Sequence, residues 1–404
     1  MWNRPWTRVR GSLAVVAEDF RAELSTRGYS TASIEAVVAV LRDLSAWLSA
    51  ENLEPSSFGP EEIERFLVAR RARDTRRHRF ETLASITPIL EFLRNRSLVP
   101  PLEERTSPSE LLLANYRFFL AHERGLAART VSRYEQTARR LLTERARSEG
   151  SGNGAEGLSA KEVRDFLLAD CRGLRPSSAK TRVGELRTLC NYLFLAGEID
   201  TPLSGAVPKV ASWHGTTLPR RLPPGQVAAL LASCDRAHPT GRRDLAILLV
   251  LARLGLRAAE VAGLRLDDLD WRAGTIAVRG KGGRIEKLPL PVDVGEAMAA
   301  YLEDGRPSLE CRNVFIRRKA PLGALSSSGI TTVVRLACER AGVEVHSAHR
   351  LRHGLATELV TAGAGLNEIA QLLRHRDLQA TAMYAKVDRA SLLALARPWP
   401  EGLA

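Results

Sequence analysis

Between Val345 and Val387 the chain gathers groups that could carry chemistry: His349, Arg352 and His353, then His375, then Tyr384. His349 and Arg352 lie three residues apart in a helix-compatible run, so one turn would bring both to the same face. A phenol can act as a nucleophile, a guanidinium can hold an oxyanion, and imidazoles can carry protons. Such a set suits attack on a phosphodiester. Charge then builds on the non-bridging oxygens, so catalysis is mostly positioning and electrostatics. A guanidinium fork holds those oxygens in a defined plane, which a lysine cannot do. A free tyrosine has a pKa near ~10 and is only ~0.1% phenolate at neutral pH, so a base or a strong cationic field must assist it. His349 and His353 also imitate half of a zinc-protease helix, but H-R-L-R-H lacks the glutamate and two arginines would repel a cation. No metal is expected.

The elements that must position these groups can be read from apolar spacing. Leu355, Leu359, Ile369, Leu372 and Leu373 have the period of two packed helices broken at Gly363 to Gly365. Upstream, PPGQVAALLASC and GRRDLAILLVLARLG predict helices, the second apolar enough to be central, with Gly255 as its left-handed cap. LRAAEVAGL restarts a helix, and TIAVRG-KGG-RIEKLPL alternates about a glycine-rich turn as a β-hairpin. NVFI at 313–316 predicts a short further strand. Residues 223–404 thus read as a mixed α/β domain.

The front half reads as helices throughout. Ser30 and Thr31 cap the longest helix of residues 12–100. Residues 108–205 repeat the plan at an offset of 100: FGPEEIERFL over LSAKEVRDFL, then Ile86 on Leu186, Ile89 on Leu189, Phe92 on Tyr192 and Leu93 on Leu193. A shift of one residue then sets Leu98 on Ile199. We therefore expect a duplicated helical domain at 1–105 and 106–207, with a Pro- and Gly-containing linker at 208–222.

These segments resemble a known family. HRLRHGLAT resembles the H-x-L-R-H-x-x-A-T box of the tyrosine recombinases (phage integrase family, including Xer recombinases), and LLRHRDLQATAMYAKV resembles the box ending in their nucleophilic tyrosine. GLRAAEVAGL is similar to G-L-R-x-x-E-x-x-x-L, and GKGGRIEKLPL to the family's hairpin. Arg350, Gly354 and Arg374 depart from a usual Asp, Ser or Thr, and Gly; Arg374 is bulky beside His375.

The resemblance implies a fold that is mainly α with a small β-hairpin or sheet: two N-terminal, all-α, SAM-like four-helix DNA-binding domains and a C-terminal catalytic domain. It implies Tyr384 as nucleophile, Arg257 and Arg352 on the scissile phosphate, and His349 as base. Lys281 would protonate the 5′ leaving group (Lys287 the fallback), His375 would donate to a phosphate oxygen, and Glu260 would steady the cations. No cofactor is implied. The product would be a 3′-phosphotyrosyl enzyme, and the assembly a homo-tetramer on two DNA sites, with other recombinases of the same element as further partners. DRASLLALAR at 388–397 resembles the C-terminal docking helix. GLAARTVSRYEQTARRLL and SSAKTRVGELRTLCNYLFLAGEIDTP resemble the first and last helices of the family's core-binding domain, which nominates Lys180, Arg182 and Arg187 as phosphate contacts; RRARDTRRHR in the first copy adds Arg76, Arg77 and Arg79.

Composition agrees with a polyanionic partner. Net charge is +13, and 52 of the 59 cationic residues are arginine. Residues 1–107 hold 16 cations against 15 anions, residues 108–210 hold 16 against 12, so the remainder carries +8. Five scattered cysteines without C-x-x-C predict neither a metal nor a disulfide framework, which fits a reducing cytoplasm. No apolar run is long enough to span a membrane, and the glycine turn is not a phosphate-binding Walker loop. Double-stranded DNA is the expected partner, and a mobile element the expected setting. Xer-like dimer resolution, type IB topoisomerase-like strand passage and a catalytically silent DNA-binding accessory are the alternatives.

Overall fold

The computed structural model describes residues 9–73, 83–101, 107–149, 154–208, 223, 225–280 and 284–374. Over these the chain is mainly helical with one small sheet, as the periodicities predict. The front half contributes α1 (Ala17–Thr26), α2 (Thr31–Ala50), α3 (Pro60–Arg73) and α4 (Leu83–Asn95), then α5 (Pro108–Phe118), α6 (Ala128–Glu149), α7 (Ala160–Cys171) and α8 (Pro176–Leu195). The back half adds α9 (Gln226–Ala232), α10 (Pro239–Leu254), α11 (Ala258–Gly263), α12 (Val292–Asp304), α13 (Ser327–Arg340), α14 (Ala348–Thr361) and α15 (Leu366–Leu372). By contacts the described residues fall into two compact units, one within 1–55, 65–92 and 215–404, the other within 56–64 and 93–214.

In the second unit α5 to α8 close over Tyr116, Leu141, Phe166, Leu186 and Leu193. A capping box starts α7, with Ser159 and Glu162 satisfying each other's backbone amides. Glu185 is buried, yet its carboxylate accepts from Thr137 Oγ1 at 2.7 Å and pairs with Arg133 and Arg182. A buried charge so placed is paid back only by such neighbours.

The offset of 100 holds at the level of burial. Phe58 and Leu158, Ile63 and Val163, Phe66 and Phe166, and Ile89 and Leu189 are all core residues. The shift at the tail is corrected: Val99, not Leu98, is buried opposite Ile199. The amides of Leu98 and Glu198 bond back to Leu93 and Leu193, and Ser97 and Gly197 both take positive φ. Both helices end in the same left-handed turn, so no residue is inserted.

In the first unit, Ser30 caps α2 by accepting from the Ser33 amide at 3.3 Å. The turn after α1 meets the back half of the chain. The Leu322 amide donates to the Arg27 carbonyl at 2.9 Å, and a Cβ on Gly28 (φ +80°) would lie 2.4 Å from Leu322 Cδ1. Around α10 every residue from Leu245 to Leu251 is buried, since α9, α12, α13 and α14 all pack on it. The sheet is antiparallel in the order β1 (Leu269–Asp270), β2 (Thr275–Arg279), β3 (Ile285–Pro289), with Ile276 paired to Leu288. The predicted hairpin is β2 and β3; β1 has two residues, too few to show alternation in the sequence. The strand expected at 313–316 is not one. Asn313 and Ile316 make single bridges to Arg265 and Ala324, and the first partner segment turns at once into a 3-10 helix, Leu266–Asp268, which cannot extend a ladder.

Candidate active site

The site is assembled at the end of α10. Gly255 closes that helix at φ +58°, and a Cβ there would lie 2.8 Å from Leu373 and 3.0 Å from Leu355. Glycine answers both the handedness and the crowding. Two residues on, Arg257 is the N-cap of α11. Glu260 reaches back, accepting from the Arg257 amide at 2.9 Å and from Arg257 Nη1 at 2.7 Å.

From the other side comes α14, where His349 and Arg352 do share the first turns. Arg352 is 1% exposed, and its guanidinium donates to the carbonyls of Gly255 and Leu373. It thereby ties the turn carrying Arg257 to the end of α15. His349 is exposed and meets the His353 ring edge-on, with centroids 4.2 Å apart. Desolvation first, then the positive charges of Arg352 and Arg257, hold its pKa below the ordinary histidine value. At neutral pH His349 is therefore the free imidazole, able to accept a proton.

One residue that spacing did not nominate joins the cluster. Arg374 donates from Nη2 to Glu260 Oε2 at 2.9 Å and is buried with it. In the sequence it is only bulk in a place where glycine is usual. The signal was there, because a long cation at a glycine position must send its charge somewhere. Burial alone would push the Glu260 carboxyl up, but the Arg257 amide and the Arg374 and Arg257 guanidiniums outweigh it and hold it below the usual range. The cluster is a buried anion bridging two cations, beside a third cation and a neutral imidazole.

A sequence profile of the phage integrase family matches residues 220–391. The integrase/recombinase y4rA of Sinorhizobium fredii is 38% identical over 96% of this chain and 95% of its own length. The chain belongs to the phage integrase family of tyrosine recombinases. XerD of Listeria innocua is 30% identical over 70% of this chain and 95% of its own. The crystal structure of XerH bound to a palindromic difH substrate shares the fold at a TM-score of 0.52, with 20% identity, over 74% of this chain and 99% of that one. This recombinase is thus an enzyme of DNA strand cleavage and rejoining.

Not every expected site residue of the recombinase falls within the described part. Lys281, His375, Tyr384, the segment 388–397 and Arg76, Arg77 and Arg79 lie outside it. The arms of the hairpin are described up to its tip, where the Gly280 amide bonds to the Arg284 carbonyl at 2.8 Å. Lys287 lies on β3 opposite Ala277, and is exposed. In the second unit Lys180 is exposed. Arg182 is turned inward to Thr137, Glu185 and Asp170, and Arg187 donates to the carbonyl of Val207 at 3.0 Å. Arg182 thus ties α8 to α6 and α7, and Arg187 ties α8 to the segment that follows residue 206. His346, unremarked in the sequence, is buried against Gln226 at 2.8 Å. Among the described residues no cluster of three or more His, Cys, Asp or Glu could hold a metal ion, and no helix is long and apolar enough to cross a membrane.

Proposed function

We propose that Tyr384 attacks the scissile phosphate of a double-stranded recombination site, forming the Tyr–phosphorus bond as the bond to the 5′ oxygen breaks. The tyrosine proton passes to His349, and Lys281 protonates the departing 5′ oxygen. Arg257, Arg352 and His375 hold the non-bridging oxygens, and Glu260 holds Arg257. A 5′ hydroxyl from the partner strand then attacks the 3′-phosphotyrosine, so bond energy is conserved and neither ATP nor a cofactor is consumed. The observation that carries this reading is the convergence of Arg257, Glu260 and Arg352 on the Gly255 turn, beside a histidine kept neutral.

The setting we propose is a mobile element, with integration or excision as the task. A relative described as an integrase/recombinase aligns over 96% of this chain, whereas the XerD relative aligns over 70%, which favours that setting over dimer resolution. Four protomers would act on two DNA sites in the cytoplasm, associated with the nucleoid. Residues 1–105 would be a second copy of the core-binding domain at 106–207, a reading supported by core positions that coincide at a constant offset of 100. Lys180 is the exposed cation of its set and the proposed phosphate contact there; Arg76, Arg77 and Arg79 serve in the first copy. The test is a nicked suicide substrate, on which wild-type protein leaves a covalent band on a denaturing gel. Tyr384→Phe should bind the same DNA and leave none; an adduct formed by that variant refutes the assignment.

A further inference from the structure

Arg374 is the unusual member of the cluster. Three non-glycine residues among those described have positive φ, namely Asn52, Ser97 and Arg374, and Arg374 has φ +54°. Asparagine and serine are small, and asparagine is tolerant of this region; a long arginine gains nothing from it. Glycine would take the turn without strain, so the reason for arginine lies in its side chain. That side chain folds back, Nη1 to the Leu372 carbonyl at 3.2 Å and Nη2 to Glu260 at 2.9 Å.

The two guanidiniums on Glu260 differ in exposure. The Arg374 side chain is 3% exposed and that of Glu260 is 4%, whereas the Arg257 side chain is 40% exposed. The buried carboxylate therefore has a buried countercharge of its own. Were Arg257 its only partner, most of that arginine's field would be cancelled by an anion 2.7 Å away. With Arg374 in place the buried pair is neutral as a unit, and the positive charge of Arg257 survives where solvent reaches it. The residue before Arg374 supplies the carbonyl that receives Arg352, so the same turn also fixes the second guanidinium.

We propose that Arg374 is a positioning residue for strand cleavage: by neutralising Glu260 from inside, it leaves Arg257 free to serve the scissile phosphate. The proposal rests on Arg257 being a phosphate ligand of the recombinase. It makes a demand that a purely structural role does not, because the loss must depend on the charge of the substrate. A phosphate with one non-bridging oxygen replaced by methyl carries no charge at the reacting centre and needs less positive field.

The experiment uses full-length protein at saturating DNA, below the melting temperature of every variant, and follows single-turnover formation of the covalent band. Arg374→Gly, which suits the backbone, should form the adduct about ten- to a hundred-fold more slowly than wild type on the natural phosphate, the scale of losing part of one preorganised charge. DNA affinity should stay near the wild-type value. On the methylphosphonate substrate the gap between Arg374→Gly and wild type should shrink at least several-fold. Arg374→Lys, which restores the charge, should recover much of the rate. Adding Glu260→Gln to Arg374→Gly should relieve the defect, since the anion to be neutralised has gone. Wild-type rates for Arg374→Gly, or a defect equally large on both substrates, overturn the proposal. Arg257→Ala on the same two substrates tests the premise separately: its own defect should shrink on the methylphosphonate. If it does not, the reading of Arg257 as a phosphate ligand has failed, whereas if it does and the Arg374→Gly defect does not, the role given to Arg374 has failed.

Discussion

Replacing Gly255 by alanine tests whether one glycine holds the site together. At φ +58° an L-residue costs about 1–2 kcal/mol relative to glycine. The new methyl would also begin 2.8 Å from Leu373 Cδ2 and 3.0 Å from Leu355 Cδ2. Both are ends of side chains and can shift, so the crowding adds about 1–3 kcal/mol. A total of about 2–5 kcal/mol corresponds to a melting temperature lower by roughly 4–20 °C for a body of this size. The same change displaces the carbonyl that receives Arg352 and the turn that carries Arg257, and a displacement of ~1 Å can cost ~100-fold in rate. Gly263 is the control: it has no positive φ, and no atom lies within 4 Å of its notional Cβ, so Gly263→Ala should be neutral or stabilising by up to ~1 kcal/mol. Thermal melts followed by circular dichroism, with single-turnover cleavage of the suicide substrate, give both numbers. If Gly255→Ala melts and cleaves like wild type while Gly263→Ala does not, the turn is not the keystone described above.

The pH dependence of cleavage should report His349. Its pKa in the folded enzyme lies below the ordinary ~6.5, so the imidazole is the free base at neutral pH and the rate falls only as pH drops further through that lowered value. His349→Gln should be slow and lack this acid limb, and a limb that persists unchanged would assign it to another group. For the leaving group, Lys281→Ala should be rescued by a substrate whose 5′ oxygen is sulfur, because a thiolate departs without a proton. Rescue of Lys287→Ala in place of Lys281→Ala would move the general acid to β3.

Much of this was legible in the sequence because chemistry and geometry left separate marks. The Gly255 cap, the hairpin and the break between α14 and α15 each carried a local signal, a glycine or a change of period. The pairing of Glu260 with Arg257 was visible as a spacing of three residues. What stayed hidden was decided by contacts between distant segments. The backbone partners of Arg352, two carbonyls from separate turns, left no mark in the sequence. Arg182 looked like a DNA contact, but Glu185 and Asp170 draw it inward. Arg374 looked like an obstruction, because its partner lies 114 residues away. The 313–316 segment had the composition of a strand and found no partner long enough to make one.

The bond between the Leu322 amide and the Arg27 carbonyl joins residues 295 apart in sequence. At ~5–20 residues per second on the ribosome, Arg27 emerges about 15–60 s before the residue that will bind it. The core cluster of the second unit that runs from Leu112 to Val207 can close within that interval. The earliest helices to be made must therefore wait for nearly the whole chain before this contact forms, and the loop entropy of that wait is met last. The order of synthesis and the order of completion run opposite for this end of the molecule.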